Sequence, residues 1–390
     1  MGDTLKMPEI IVDAHNIITS LGFSTAENMK NLQKGITGVK YCDDTKLSPN
    51  PFMVSLVDSL RLDDEFSALG NPRQFTRFEK LLILSVANAL KKTTVSINNP
   101  KTLLIISTTK GNVELLTPTG KAFSKERVYL WETARIIGKF FKNPNTPVVI
   151  SNACISGVLA INVASAFLCS GKYENVVVSG GDAITKFVVS GFQSFQSLSP
   201  NPCKPFDVSR DGLNLGEGSG TLILTTKTIK TDDNVVITVK GGGSSNDANH
   251  ISGPSRTGDG LFFAIQRALD QAGYLPDKID FISAHGTATS FNDEMESKAF
   301  NMAKMSNIPL NSVKGYIGHT LGGAGIIESG ITIGCLNQNL LLKNLGYTES
   351  GIPFPLNVIT ENCSHPLHVC LKTASGFGGC NAAVIFEKKK

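Results

Sequence analysis

The chain repeats itself at half its length. A run ending in a polar loop, "LIISTTKGN" at 104–112, returns as "FISAHGTAT" at 281–289. A turn leading into a helix of small and apolar residues, "SNACISGVLAINVASAFLCSG" at 151–171, returns as "IGHTLGGAGIIESGITIGCL" at 317–336. A glycine-rich loop leading into a strand, "GEGSGTLILT" at 216–225, returns as "GFGGCNAAVIFE" at 376–387. Three segments recurring in one order, offset by about 160–180 residues, imply duplication of a single unit. The polar stretch "TKTIKTDDN" at 226–234 is the natural boundary, giving halves 1–230 and 231–390.

The unit itself is α/β. Apolar runs "TLLIIST" (102–108), "PVVIS" (147–151), "NVVVSGG" (175–181) and "GTLILT" (220–225) alternate with helical stretches such as "FEKLLILSVANALKK" (78–92). The runs are continuous rather than alternating, which predicts strands buried on both faces and layers of helix and sheet. The small residues opening the helices after 154 and 319 predict two helices packed closely in a central layer.

Composition removes several function classes. A net charge of +4 on 390 residues, with no run interleaving arginine and aromatics, excludes a nucleic-acid groove. No apolar run approaches the roughly 18 residues that span a bilayer, and the start "MGDTLKMPEI" lacks the apolar core of a signal peptide, so no membrane partner is expected. None of the eight cysteines forms a C-x-x-C pair, which argues against a zinc ribbon and for reduced thiols in the cytoplasm.

Cys154 stands where a strand gives way to a helix. The helix dipole and unpaired N–H groups there favour a thiolate and predict a lowered pKa for a nucleophile. A buried structural thiol is the other reading of that residue; Cys169 is read as core. His285, in "AHGTAT", closes a buried strand. His319, in "KGYIGHTLGGAG", holds the mirrored position, with Lys314 five residues earlier. A cysteine, two histidines and a lysine at equivalent ends of two repeated units are expected to converge on one site. His15, His250, His365 and His368 have no such setting. No triplet has metal-ligand spacing, so no catalytic metal is expected. The glycines of "SGFGGCN" (375–381) let backbone N–H groups approach a ligand, and with the Cys154 N–H can form an oxyanion hole. "KPFDVSRDGLNLGEGSG" (204–220) is read as an Asp–Arg network bracing the cleft.

These motifs together resemble the β-ketoacyl-acyl carrier protein synthases of the elongating Cys-His-His type, in order and spacing over nearly the whole chain. The resemblance implies the thiolase fold, a duplicated five-layer αβαβα architecture with the cysteine in one half and the two histidines in the other. It implies an acyltransferase performing decarboxylative Claisen condensation of an acyl thioester with malonyl-acyl carrier protein. Cys154 is then the acyl acceptor, His285 and His319 the condensing pair, and Lys314 the active-site lysine. Cys154 and Phe377 supply the oxyanion N–H groups, and Phe377 is also the gate. Thr287, Thr289, Gly378 and Ser252 form the substrate-binding set. Glu328, Asp293 and Glu296 are supporting acids. No cofactor is implied beyond the phosphopantetheine arm of the substrates. The partners implied are acyl carrier protein, acyl and malonyl thioesters, and a second subunit in a homodimer or heterodimer.

The chain departs from the family pattern at Ile155, Ser375, Cys380 and its "IIVDAHNIITSLG" start, which leaves fatty-acid, polyketide and polyene pathways open. Two rival functions remain at the level of sequence. One is a non-catalytic chain-length-factor partner, against which Cys154 argues. The other is a degradative thiolase, for which Cys380 is the only candidate second cysteine.

Overall fold

The computed structural model describes residues 8–117, 122–227, 235–249, 251 and 253–389. Most of the predicted boundary stretch, residues 228–234, lies outside them, as do Ser252 and His250.

Ten strands form one sheet: β1 (Ile10–Ile18), β2 (Thr102–Ser107), β3 (Val148–Ile150), β4 (Asn175–Asp182), β5 (Gly218–Thr225), β6 (Val236–Asn246), β7 (Phe281–Ser283), β8 (Leu310–Asn311), β9 (Val369–Gly376) and β10 (Cys380–Lys389). Their order, β8-β7-β9-β10-β6-β1-β5-β4-β2-β3, is the same five-strand pattern twice, back to back. In each half the first strand pairs antiparallel with the last, and the last pairs antiparallel with the fourth. The fourth then pairs parallel with the second, and the second with the third. The halves join where β1 meets β6, Ile10 opposite Val239. The sequence echoes thus fall on equivalent elements: β2 with β7, and β5 with β10.

The continuous apolar runs have a physical reason. Side chains alternate across a strand, and here both faces are covered. Leu103 and Ile105 of β2 point to a central core, while Leu104 and Ile106 point to an outer one. In the second half Val384 and Phe386 of β10 face the centre, while Ala383 and Ile385 face the opposite outer layer. The exception is β3, an edge strand whose three residues are only half-buried, whereas β8 at the other edge is buried.

Helices α1 (Arg77–Leu90), α2 (Ser156–Cys169), α3 (Lys186–Ser194), α4 (Asp259–Ala272), α5 (Ser290–Met302) and α6 (Ala324–Gln338) supply most of the cover. Phe78, Leu81 and Leu82 of α1 pack on the outer face of the first half, and Leu261 and Ile265 of α4 on that of the second. α2 and α6 share the central layer, giving five layers. Their approach depends on glycine. A Cβ at Gly157 would stand 2.7 Å from the Ile326 nitrogen, and one at Gly325 would stand 2.3 Å from the Val158 nitrogen. Among the described residues no helix is long and apolar enough to cross a membrane.

Candidate active site

Cys154 follows β3, and His319 follows the equivalent strand β8 through a one-turn helix, Lys314–Ile317. His285 lies two residues past β7. The duplication therefore delivers all three to the same end of the sheet. One atom from each, the thiol sulfur and one ring nitrogen per histidine, lie within 4.8 Å of one another. They line a cleft of about 450 Å³ with Thr287, Ser375 and Phe377.

The turns that present these residues are strained. Ala153, beside the nucleophile, has φ 44°; Ala288, three residues past His285, has φ 63°; Leu321, two past His319, has φ 52°. Non-glycine residues rarely sit there, and such positions cluster where function holds a backbone in place. Ser156 locks the first of these turns: its hydroxyl accepts from Asn152 N at 2.8 Å and donates to Ala153 O at 2.6 Å.

Hydrogen bonding fixes the tautomers of both histidines. The His319 Nδ1 accepts from Leu321 N at 3.3 Å, and the His285 Nδ1 accepts from the Lys314 ammonium at 3.3 Å. Each neutral ring then carries its proton on Nε2. The rings stand 5.1 Å apart, nearly perpendicular. Burial, reinforced by Lys314, holds both histidines well below the usual imidazole range, so both are neutral donors at neutral pH. Linear spacing gave no sign that Cys154, His285 and His319 form a metal-sized cluster, yet the fold brings them together. With Nδ1 engaged on both rings, each Nε2 carries the proton and is a donor rather than a ligand.

Cys154 corrects one expectation. The helix start predicts a depressed thiol pKa, but burial, with Cys380 nearby, pushes the group up to about 12. Asp182 and Glu328 act in the same direction, and Lys314 opposes them. The resting group is a thiol.

The acidic residues are braces. Glu328 pairs with Lys314 at 2.7 Å, and Lys314 Nζ also donates to His285 O at 2.5 Å. Glu296 accepts from the backbone N–H groups of His285 (2.8 Å) and Gly286 (2.6 Å), and burial raises it to about 7. Asp293 accepts from Thr287 N (3.0 Å) and Phe206 N (2.7 Å). Thr287 and Thr289 share a 2.8 Å hydroxyl contact at the cleft wall. Phe377, 38% exposed, stacks on Phe192 at 5.9 Å and meets Phe195 edge-on at 5.3 Å. A Cβ at Gly376 would come within 2.9 Å of Cys154 N, so that glycine keeps the space beside the N–H open.

Two other expectations change. Gly378 does not line the cleft: its N–H donates to Ile251 O at 2.7 Å, and its carbonyl accepts from Asn246. The Asp207 carboxylate and the Arg210 guanidinium do not pair with each other; Arg210 meets Glu294 at 3.5 Å instead. Asp207 accepts from Ser209, Thr348 and Glu349, whereas Arg210 donates to the carbonyls of Asp207 and Gly351. The Cys380 sulfur stays beside the Cys154 turn, donating to Phe377 O at 3.2 Å and reaching Asn152 O at 3.8 Å. Sequence reading missed Lys372, a fully buried lysine 2.6 Å from Glu328. Its signal was there: one cation inside the strand "VCLKTAS". It also missed Asp182, which accepts from Thr108, Thr109, Lys110 and Gly322 and so ties the two halves together.

Residues 9–229 match the family model for the β-ketoacyl synthase N-terminal domain, and residues 236–348 match that for the C-terminal domain. A putative mitochondrial 3-oxoacyl-[acyl-carrier-protein] synthase of Schizosaccharomyces pombe is 29% identical over 428 residues, covering 98% of this chain and 99% of that protein. The 3-oxoacyl-[acyl-carrier-protein] synthase 2 of Staphylococcus aureus is 25% identical over 410 residues, covering 97% and 98%. A ketosynthase from Xenorhabdus doucetiae, solved with its chain length factor, superposes with a TM-score of 0.87 at 25% identity, covering 100% of both chains. The non-catalytic-partner reading is not favoured.

Proposed function

The chain belongs to the β-ketoacyl synthase family, and from that premise we propose a site in which Cys154 carries the acyl group and His285 and His319 stabilise the enolate. The enzyme is an acyltransferase, a condensing enzyme of fatty-acid or polyketide synthesis. The observation that carries the site assignment is the convergence of the Cys154 sulfur and one nitrogen of each histidine within 4.8 Å.

In the first half-reaction the Cys154 sulfur attacks an acyl thioester, and a cysteine ester forms as the donor's C–S bond breaks. The thiol proton ends on the departing pantetheine sulfur, so the site's charge does not change. The Cys154 and Phe377 N–H groups stabilise the tetrahedral oxyanion. In the second, malonyl thioester loses carbon dioxide. The electron pair of the broken C–C bond becomes an enolate, whose oxygen receives the two Nε2–H donors. The enolate carbon then attacks the acyl-cysteine carbonyl, and the C–S bond to Cys154 breaks as the carbonyl re-forms. The negative charge passes from carboxylate to enolate to the Cys154 sulfur, whose raised pKa draws a proton back. No cofactor is required beyond the substrates' pantetheine arm.

Acyl carrier protein is the proposed partner, since the relatives are named for it, and Thr287 and Thr289 are proposed to contact its arm. The unpaired edge strand β3, beside the half-buried Leu159, Val163 and Phe167 of α2, is the proposed surface for a second subunit. Halves of 1–230 and 231–390 are the proposed domains. Intact-mass analysis across a panel of acyl-carrier proteins tests the reading: acyl mass is expected on the parent and absent from Cys154→Ala. Acylation of both proteins alike would place the nucleophile elsewhere.

A further inference from the structure

We propose that Lys372 is a positioning residue for the condensing step, converting a neutral buried ion pair into a cationic triad that holds His285 in its donor form and favours the anions of decarboxylation. This rests on the two-histidine reading above.

The Glu328 carboxylate offers two oxygens: Oε1 accepts a hydrogen bond from Lys314, whereas Oε2 has Lys372 beside it at ion-pair distance without hydrogen-bond geometry. Oε1 meets Lys314 at 2.7 Å and Oε2 meets Lys372 at 2.6 Å. All three groups are buried, with side-chain exposures of 0%, 0% and 1%. With Lys314 alone the pair would sum to zero; a protonated Lys372 leaves one positive charge, which burial and Lys314 oppose and Glu328 and Glu296 favour. A buried net charge is costly unless something compensates it, and the reaction supplies an anion at every stage of its second half. The two lysines also grip consecutive carbonyls at the end of β7. Lys372 Nζ lies 3.2 Å from both Ser283 O and Ala284 O, and Lys314 Nζ holds His285 O. The loop presenting His285 is thereby fixed at three successive residues.

Other charged groups face the histidines. Glu296 and Asp293 approach from α5, but their oxygens accept from backbone N–H groups of residues 206 and 285–287. Asp182 and Cys154 lie on the nucleophile's side, where Asp182 is engaged by Thr108, Thr109, Lys110 and Gly322. Lys314 and Lys372 both lower the proton affinity of both rings.

The test compares Lys372→Gln, which keeps hydrogen-bond donors but removes the charge, with Lys372→Met, which removes both. Two readouts are taken: histidine NMR titration of the folded proteins, and carbon dioxide release from malonyl-carrier protein beside acylation of Cys154. A cation close by opposes imidazole protonation, so its loss moves the midpoints of His285 and His319 upward, by about one pH unit in both variants. Decarboxylation at neutral pH is expected to fall about tenfold, with acylation within about twofold of the parent, since it leaves the site's charge unchanged. Unmoved midpoints in both variants overturn the proposal, as does a Gln variant that behaves like the parent. A parent that takes up acyl groups but releases no carbon dioxide contradicts instead the underlying two-histidine reading.

Discussion

The chemistry turns on which protons sit where. Leu321 N–H and the Lys314 ammonium each occupy an Nδ1, so both imidazoles turn Nε2–H toward the cleft. Burial keeps the rings neutral well below the ordinary value of 6.5. Histidine NMR between pH 8 and 6 is therefore expected to show no ring midpoint near 6.5, the group titrating in that window being Glu296, raised to about 7. An inflection near 6.5 would show histidines titrating as if in water. The same depression affects stability: the unfolded chain binds protons near 6.5 that the folded one refuses, so stability falls as pH drops below that value. Cys154 and His319 were legible in the sequence because the repeat put them at equivalent turns, and His285 and Lys314 because they stand in the polar loop after a buried strand and just before His319. The state of the thiol was not. Helix position was visible at Cys154, but burial and the neighbouring Cys380 exist only after folding, and burial prevails.

Elements set the spacing on which those protons depend. α2 and α6 carry the turns after Cys154 and His319, and they touch backbone to backbone at Gly157 and Gly325. Gly325→Ala is expected to push them apart and cost about 1–3 kcal/mol or more, seen as a lowered melting temperature with condensation reduced more than acylation. A variant as stable and active as the parent would mean the helices have room to spare. This close approach was readable as a run of small residues. The gate was only partly readable. Phe377 was expected from its flanking glycines, but Phe192 and Phe195, which cap it from α3 and the residue just beyond, are distant in sequence. Phe377→Ala is expected to slow acyl transfer to Cys154 and to relax chain-length preference, followed by acyl-enzyme mass with short and long donors. Equal transfer rates for both lengths in parent and variant would remove the gate. At Gly378 the glycine loop was readable, but not that its N–H is engaged by Ile251 O.

At the scale of the whole molecule the duplication explains the architecture. Strand order 1-5-4-2-3 occurs twice, and the two copies meet at β1 and β6. The first half ends in an open edge at β3, flanked by partly exposed apolar residues of α2. Phe167→Asp and Leu159→Asp together are expected to convert a dimer to a monomer in sedimentation, and an unchanged mass would place the subunit contact elsewhere. Sequence echoes alone predicted two like halves, but they carried no sign of Lys372 meeting Glu328. That contact joins β9 to α6 across the layers, and only packing reveals it. The division of labour between the thiol and the histidines is tested most directly by separating the half-reactions, with carbon dioxide release and acyl-enzyme mass followed together. Cys154→Ala is expected to release carbon dioxide but form no condensed product. His285→Ala and His319→Ala are each expected still to accept an acyl group, while losing one enolate donor at about 2.7–4 kcal/mol slows decarboxylation by about 10²–10³. Decarboxylation at the parent rate in both histidine variants would contradict the two-histidine site.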